Sequence, residues 1–178
     1  MKEKFFPLQI IDNFFRYPDK VVKKASSLKF NDESEFLHKK DEKFFNETIT
    51  KMLCLNFDLK SCSLNWENVH SYFKKIRSNK QEITNYSKIE YPLVAVIFLT
   101  KKPKIKSNIT FYKKEKNKFT ESIIINNNYN RLVLFDGDDF HKINIDSDKK
   151  EELILIFKLH KIMSSSFFPL QRMESREI

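Results

Sequence analysis

The sequence predicts an α+β domain in which two helices precede a β-sandwich or barrel. Three observations lead there. Two segments before residue 60 repeat apolar side chains at helical spacing, and seven short runs after Trp66 are rich in Ile, Val, Phe and Leu. The chain has 178 residues, 40% of them hydrophobic, which suits one domain with one core.

In chain order, Leu8 to Phe15 reads as a short strand running into a turn. Tyr17-Pro18-Asp19 then opens a helix with proline in its first turn, and Val21, Val22, Ala25 and Leu28 give it one apolar face. A second helix is expected over Glu42 to Phe57, where Phe45, Ile49, Met52, Leu53 and Phe57 form a stripe that packs on a sheet. Strands are expected at Val69 to Ile76, Leu93 to Thr100, Ile109 to Tyr112, Ser122 to Ile125, Arg131 to Asp136, Phe140 to Ile145 and Glu152 to Ile162. Lys/Asn/Asp/Ser stretches divide them. Asp136-Gly137 holds the only glycine, between two strand-like runs, and is the best hairpin signal in the chain. Residues 1–163 form the expected domain, and 164–178 read as a tail that docks Phe167 and Phe168 and then frays.

Composition excludes several classes. One glycine leaves no room for G-x-G-x-x-G, a P-loop or G-x-S-x-G, so dinucleotide, nucleoside-triphosphate and hydrolase-elbow sites are out. Cys54 and Cys62 are spaced neither as a redox pair nor as a zinc knuckle. No stretch of 18 uncharged apolar residues exists and the N-terminus lacks an apolar signal core, so a cytoplasmic location and no membrane partner are expected. The net charge of +9 permits nucleic-acid binding, but only five of the 33 basic residues are Arg, the residue of bidentate phosphate and guanine contacts. Nucleic acid is therefore not the favoured partner.

Three ordered segments carry a family resemblance. They are Asp12-Asn13-Phe14-Phe15 followed by Pro18; Leu99-Thr100 with Ser107-Asn108-Ile109-Thr110-Phe111-Tyr112; and Asn130-Arg131-Leu132-Val133-Leu134-Phe135 leading to Phe140-His141-Lys142. The set resembles small phage- and bacterium-encoded 2-oxoglutarate/Fe(II) oxygenase-like proteins. The resemblance implies a double-stranded β-helix, or jelly roll, of the cupin-like kind, fronted by the two helices. It also implies Fe(II) and 2-oxoglutarate as cofactors if the chain is an active dioxygenase, and no cofactor if it is a pseudoenzyme.

In that superfamily two His and one carboxylate hold the iron, and a basic residue pairs with the far carboxylate of 2-oxoglutarate. By the resemblance His141 takes the distal histidine position. The H-x-D pair belongs just before Tyr91, where the candidates are Tyr86 with Lys88, Ser87 with Ile89, or Lys88 with Glu90. None supplies an imidazole, which makes the chain a divergent member lacking that pair. The co-substrate's basic partner aligns near Glu152, with Lys149 or Lys150 as substitutes after a register shift.

Other candidates have plainer alternatives. Asp139 shares a strand face with His141 and would make a second ligand, but Asp136, Asp138 and Asp139 also read as turn residues around Gly137. His70 and Tyr72 share a face of a strand that lines the pocket in the resembled family, so Tyr72 is a pocket candidate. Eight lysines between Lys101 and Lys118, with Phe111 and Tyr112 among them, suggest a basic aromatic strip. Alternation puts Phe111 inward and Tyr112 outward, so a solvated sheet edge is the first expectation. The reading is a degenerate oxygenase, or a non-catalytic jelly roll binding a metabolite, protein or nucleic acid.

Overall fold

Strands alternate between two antiparallel sheets. The computed structural model describes residues 8–30, 35–36, 69–76, 82–85, 93–101, 107–145 and 151–159. The elements are β1 (Gln9–Ile11), α1 (Pro18–Ser26), β2 (Glu35–Phe36), β3 (Val69–Ile76), β4 (Leu93–Phe98), β5 (Asn108–Glu115), β6 (Lys118–Asn126), β7 (Arg131–Asp136), β8 (Phe140–Asn144) and β9 (Glu152–Leu159). Six strands form a large sheet in the order β1-β7-β4-β9-β3-β2, and three form a small one in the order β6-β5-β8. From β4 the chain crosses to the small sheet for β5 and β6, returns for β7, crosses again for β8 and returns for β9. That winding is a jelly roll, as expected.

Both faces of the large sheet are covered, which is why β4 reads Leu-Val-Ala-Val-Ile-Phe without alternation: all six residues are buried. One face packs against the small sheet through Val94, Val96, Phe98, Val133, Phe135, Ile154 and Ile156, which meet Ile109, Phe111, Ile125 and Ile143. The other face carries Ala95, Ile97, Leu132, Leu134, Leu155 and Phe157 and is covered by Phe14, Phe15 and Ala25, with Val21 and Val22 of α1 against them. The helix thus covers one sheet face as its stripe predicts. The expected second helix at Glu42 to Phe57 and the tail at 164–178 lie outside the described residues, so the described part is β-rich with one helix. No helix among the described residues is long and apolar enough to cross a membrane.

Two turns differ from expectation. Asp136-Gly137 is not a hairpin: β7 and β8 belong to different sheets, and the turn is a corner between them. The Asp139 amide donates to the Asp136 carbonyl at 2.9 Å, and the Asp138 amide donates to the Asp136 side chain at 3.1 Å. This aspartate turn needs no left-handed residue, and Gly137 does not adopt positive φ. The true hairpin joins β5 to β6, pairing Glu115 with Lys118 around Lys116, whose φ is 52°.

The first and third resemblance segments meet. Arg131 grips Asp12 through two hydrogen bonds of 2.6 and 2.8 Å and also donates to the Asn126 carbonyl. Asn130, left-handed at φ 63°, accepts from the Phe15 amide at 2.9 Å and donates to the Phe15 carbonyl at 2.8 Å. Its own amide donates to Phe98 of β4. Tyr129 and Lys101 both donate to Asp19, anchoring the first turn of α1.

Candidate functional site

His141 lies on β8 with its side chain between the sheets, 2% exposed. Its backbone pairs with Phe111 of β5 on one side and exchanges two hydrogen bonds with Thr84 on the other, at 2.8 and 2.9 Å. The ring lies 4.8 Å from the ring of Phe135 and 6.1 Å from that of Phe111. Its Nδ1 sits 3.0 Å from the Asp139 carbonyl. A carbonyl only accepts, so Nδ1 carries the proton and Nε2 keeps the lone pair.

Burial among aromatic rings pushes the His141 imidazole down to about 4, against the pull of the Asp139 carbonyl, and the positive charge of Lys158 pushes the same way. Lys158 stands on the inward face of β9, two residues beyond Ile156, with its ammonium 4.9 Å from the centre of the Tyr72 ring. One end of the space between the sheets is thus made of His141, Phe135, Phe111, Tyr72 and Lys158. His70 is exposed. Asp139 contributes its amide to the corner turn and its carbonyl to His141. Tyr86, Lys88, Glu90, Lys149 and Lys150 lie outside the described residues.

Toward the other end stands a polar clasp around Glu152, which sequence reading met only as the residue aligned where a base belongs, without its partners. Glu152, 5% exposed, accepts from the Ser107 hydroxyl and the Asn127 side-chain amide, both at 2.9 Å. The Asn127 amide also donates to the Ser107 carbonyl, so three segments close into one clasp. No basic side chain among the described residues pairs with this carboxylate, and the side-chain oxygen of Asn127 is buried without a hydrogen-bond partner. The signal was parity: Glu152 shares the inward face of β9 with Ile154 and Ile156, an apolar face where a charge needs a reason.

Solved structures of the same architecture come from distant proteins. A structure described as prolyl 4-hydroxylases from Phytophthora capsici is similar over 86% of this chain, with a TM-score of 0.62 and 13% identity. This chain spans only 58% of that protein's length. An oxidoreductase of the 2OG-Fe(II) oxygenase family from Burkholderia pseudomallei matches over 85% of this chain and 82% of its own, with a TM-score of 0.60 and 9% identity. The fold is that of the 2-oxoglutarate/Fe(II) oxygenases. A Pseudomonas putida prolyl-4-hydroxylase agrees, with a TM-score of 0.51 and 10% identity over 88% of this chain and 93% of its own. No family model and no curated protein matches the sequence.

The described residues do not fit the groups this fold implies. Among them no three His, Cys, Asp or Glu side chains come together as a metal site. Lys158 bears on the inward His141, where its charge would oppose a dication. Where the resemblance expects a base to meet the far carboxylate of 2-oxoglutarate, Glu152 presents a carboxylate already engaged by neutral donors.

Proposed function

We propose that this chain is an oxygenase-fold protein with an altered iron and co-substrate site, working as a binding protein rather than a 2-oxoglutarate-dependent dioxygenase. The buried Glu152 clasp carries the reading. Two like charges 4 Å apart repel by about 4 kcal/mol at an effective dielectric of 20, roughly a thousandfold in affinity. A dicarboxylate has no favourable seat beside Glu152.

One observation favours retained metal binding instead. A neutral imidazole that donates through Nδ1 to a backbone carbonyl, as His141 does, has the posture of many metal-ligating histidines. Anaerobic Fe(II) titration by calorimetry, with and without 2-oxoglutarate and alongside His141→Ala, separates the two. The proposed reading expects weak binding that 2-oxoglutarate does not strengthen. Saturable one-to-one binding, tightened by 2-oxoglutarate and abolished in a folded His141→Ala protein, would establish the oxygenase reading in its place.

A further inference from the structure

The outer face of the small sheet carries an aromatic cluster that the sequence scatters over three strands. His141 and Phe111 point inward, so their neighbours Phe140 and Tyr112 point outward. Phe119 of β6 joins them: its ring lies 5.1 Å from that of Phe140 and 6.4 Å from that of Tyr112. Phe119 is 40% exposed, and the other two rings are half-buried. The Lys114 ammonium stands 5.6 and 5.5 Å above the rings of Phe119 and Phe140. Farther along β6, on the outward side opposite Thr110, Ile124 is 55% exposed.

The charge around this cluster is mostly positive. Lys114 and Lys142 share this face and Lys116 stands at its turn, against Glu121, which pairs with Tyr112; Lys113, Glu115 and Lys118 alternate to the other side. None of the five lysines forms an ion pair with a described residue. The core lies on the sheet's other face, so packing between the sheets does not account for three rings here. Alternation alone supplies one outward ring; the tertiary pairing of β6 and β8 with β5 supplies the other two.

We propose that this face binds single-stranded nucleic acid, with Tyr112, Phe119 and Phe140 as a stacking platform and Lys114, Lys116 and Lys142 neutralising the phosphate backbone. Stacking is tolerant of sequence because every base offers a π-face, and it needs neither glycine loops nor arginine forks. Lys114 caps the rings in the free protein; a base takes its place when the ammonium turns to a phosphate. A duplex hides its base faces and would find here only the lysines. The platform lies on the opposite side of the sheet from the His141 side chain, so it stands apart from the iron-site reading.

The test is fluorescence anisotropy of the full chain with a labelled oligothymidine of about 15 nucleotides and a duplex of equal length, at low and moderate salt. Saturable binding that prefers the single strand and weakens with salt is expected. Replacing the rings with Phe119→Leu and Tyr112→Leu together, with folding checked by circular dichroism, should weaken it by about tenfold or more. Lys116→Gln with Lys142→Gln should weaken it and flatten its salt dependence. Absence of saturable binding at low salt overturns the proposal. So does binding that is equal on the duplex and indifferent to loss of the rings.

Discussion

Acidification of chelator-treated protein should reveal His141 through stability. In the unfolded chain its imidazole titrates at the ordinary 6.5, whereas in the fold burial holds it neutral down to about 4. Between those values the unfolded chain binds a proton that the folded chain refuses. Stability from this group is therefore complete above 6.5 and is lost as the pH falls toward 4. At 1.36 kcal/mol per pH unit the loss by pH 4 is about 3 kcal/mol. Asp12, held down by its hydrogen bonds to Arg131, and Asp19, held down by Tyr129 and Lys101, titrate below 3.8, so their contributions vanish only at more acidic pH. Urea unfolding followed by circular dichroism, in steps from about pH 7 to about pH 4, gives the curve for the wild type and for His141→Phe, which cannot titrate there. The difference between the two proteins should move by about 3 kcal/mol in favour of the variant as the pH falls. A difference constant to within about 1 kcal/mol would refute a buried neutral imidazole.

The Glu152 clasp and the Asn130 staple make separate claims on stability. Glu152→Ala leaves the Ser107 hydroxyl and Asn127 amide without their acceptor and should cost about 3–5 kcal/mol, on the order of 10 °C in melting temperature. Glu152→Gln can accept from Asn127 and donate to Ser107, so its loss should stay near 1 kcal/mol; equal losses in the two variants would mean that the hydrogen bonds contribute little. Asn130→Gly forfeits the two side-chain bonds to Phe15 but keeps the left-handed backbone easy, at a cost of about 1–2 kcal/mol. Asn130→Ala adds the left-handed penalty of about 1 kcal/mol, so thermal melts should rank alanine below glycine, and the reverse order would contradict the staple.

Strand existence was legible because it depends on runs of side chains; pairing was not, because it depends on residues far away in the chain. Leu93 to Leu99 announces a strand buried on both faces whatever its neighbours are. Asp136-Gly137 looks like a hairpin at the level of six residues, and only the pairing of β7 with β4 and of β8 with β5 makes it a corner. The real hairpin turns at Lys116 with no glycine, so turn chemistry gave no warning of it. At the candidate site His141 was found by resemblance. Lys158 was passed over, although its inward parity with Ile154 and Ile156 was readable from β9 alone. Phe119 and Phe140 lie 21 positions apart, and nothing local brings them together over β5.

The residues that carry the resemblance also explain how this fold holds its shape. Asp12 and Arg131 clamp the turn after β1 to the start of β7, and Asn130 holds Phe14 and Phe15 against β4 by hydrogen bonds alone. Thr100 accepts from the Leu153 amide and fixes the register of β9 on β4. Ser107 binds Glu152, and Asn108 accepts from Asn144 across the small sheet. Each of these ties one segment of the scaffold to another. Glu152 goes further, because it uses the expected co-substrate end of the barrel as a place to join β9 to β5 and to the loop before β7. On the proposed reading, the residue that joins these segments is also the one that opposes a dicarboxylate ligand. Likeness in fold is a guide to where to look for chemistry, not to what it is.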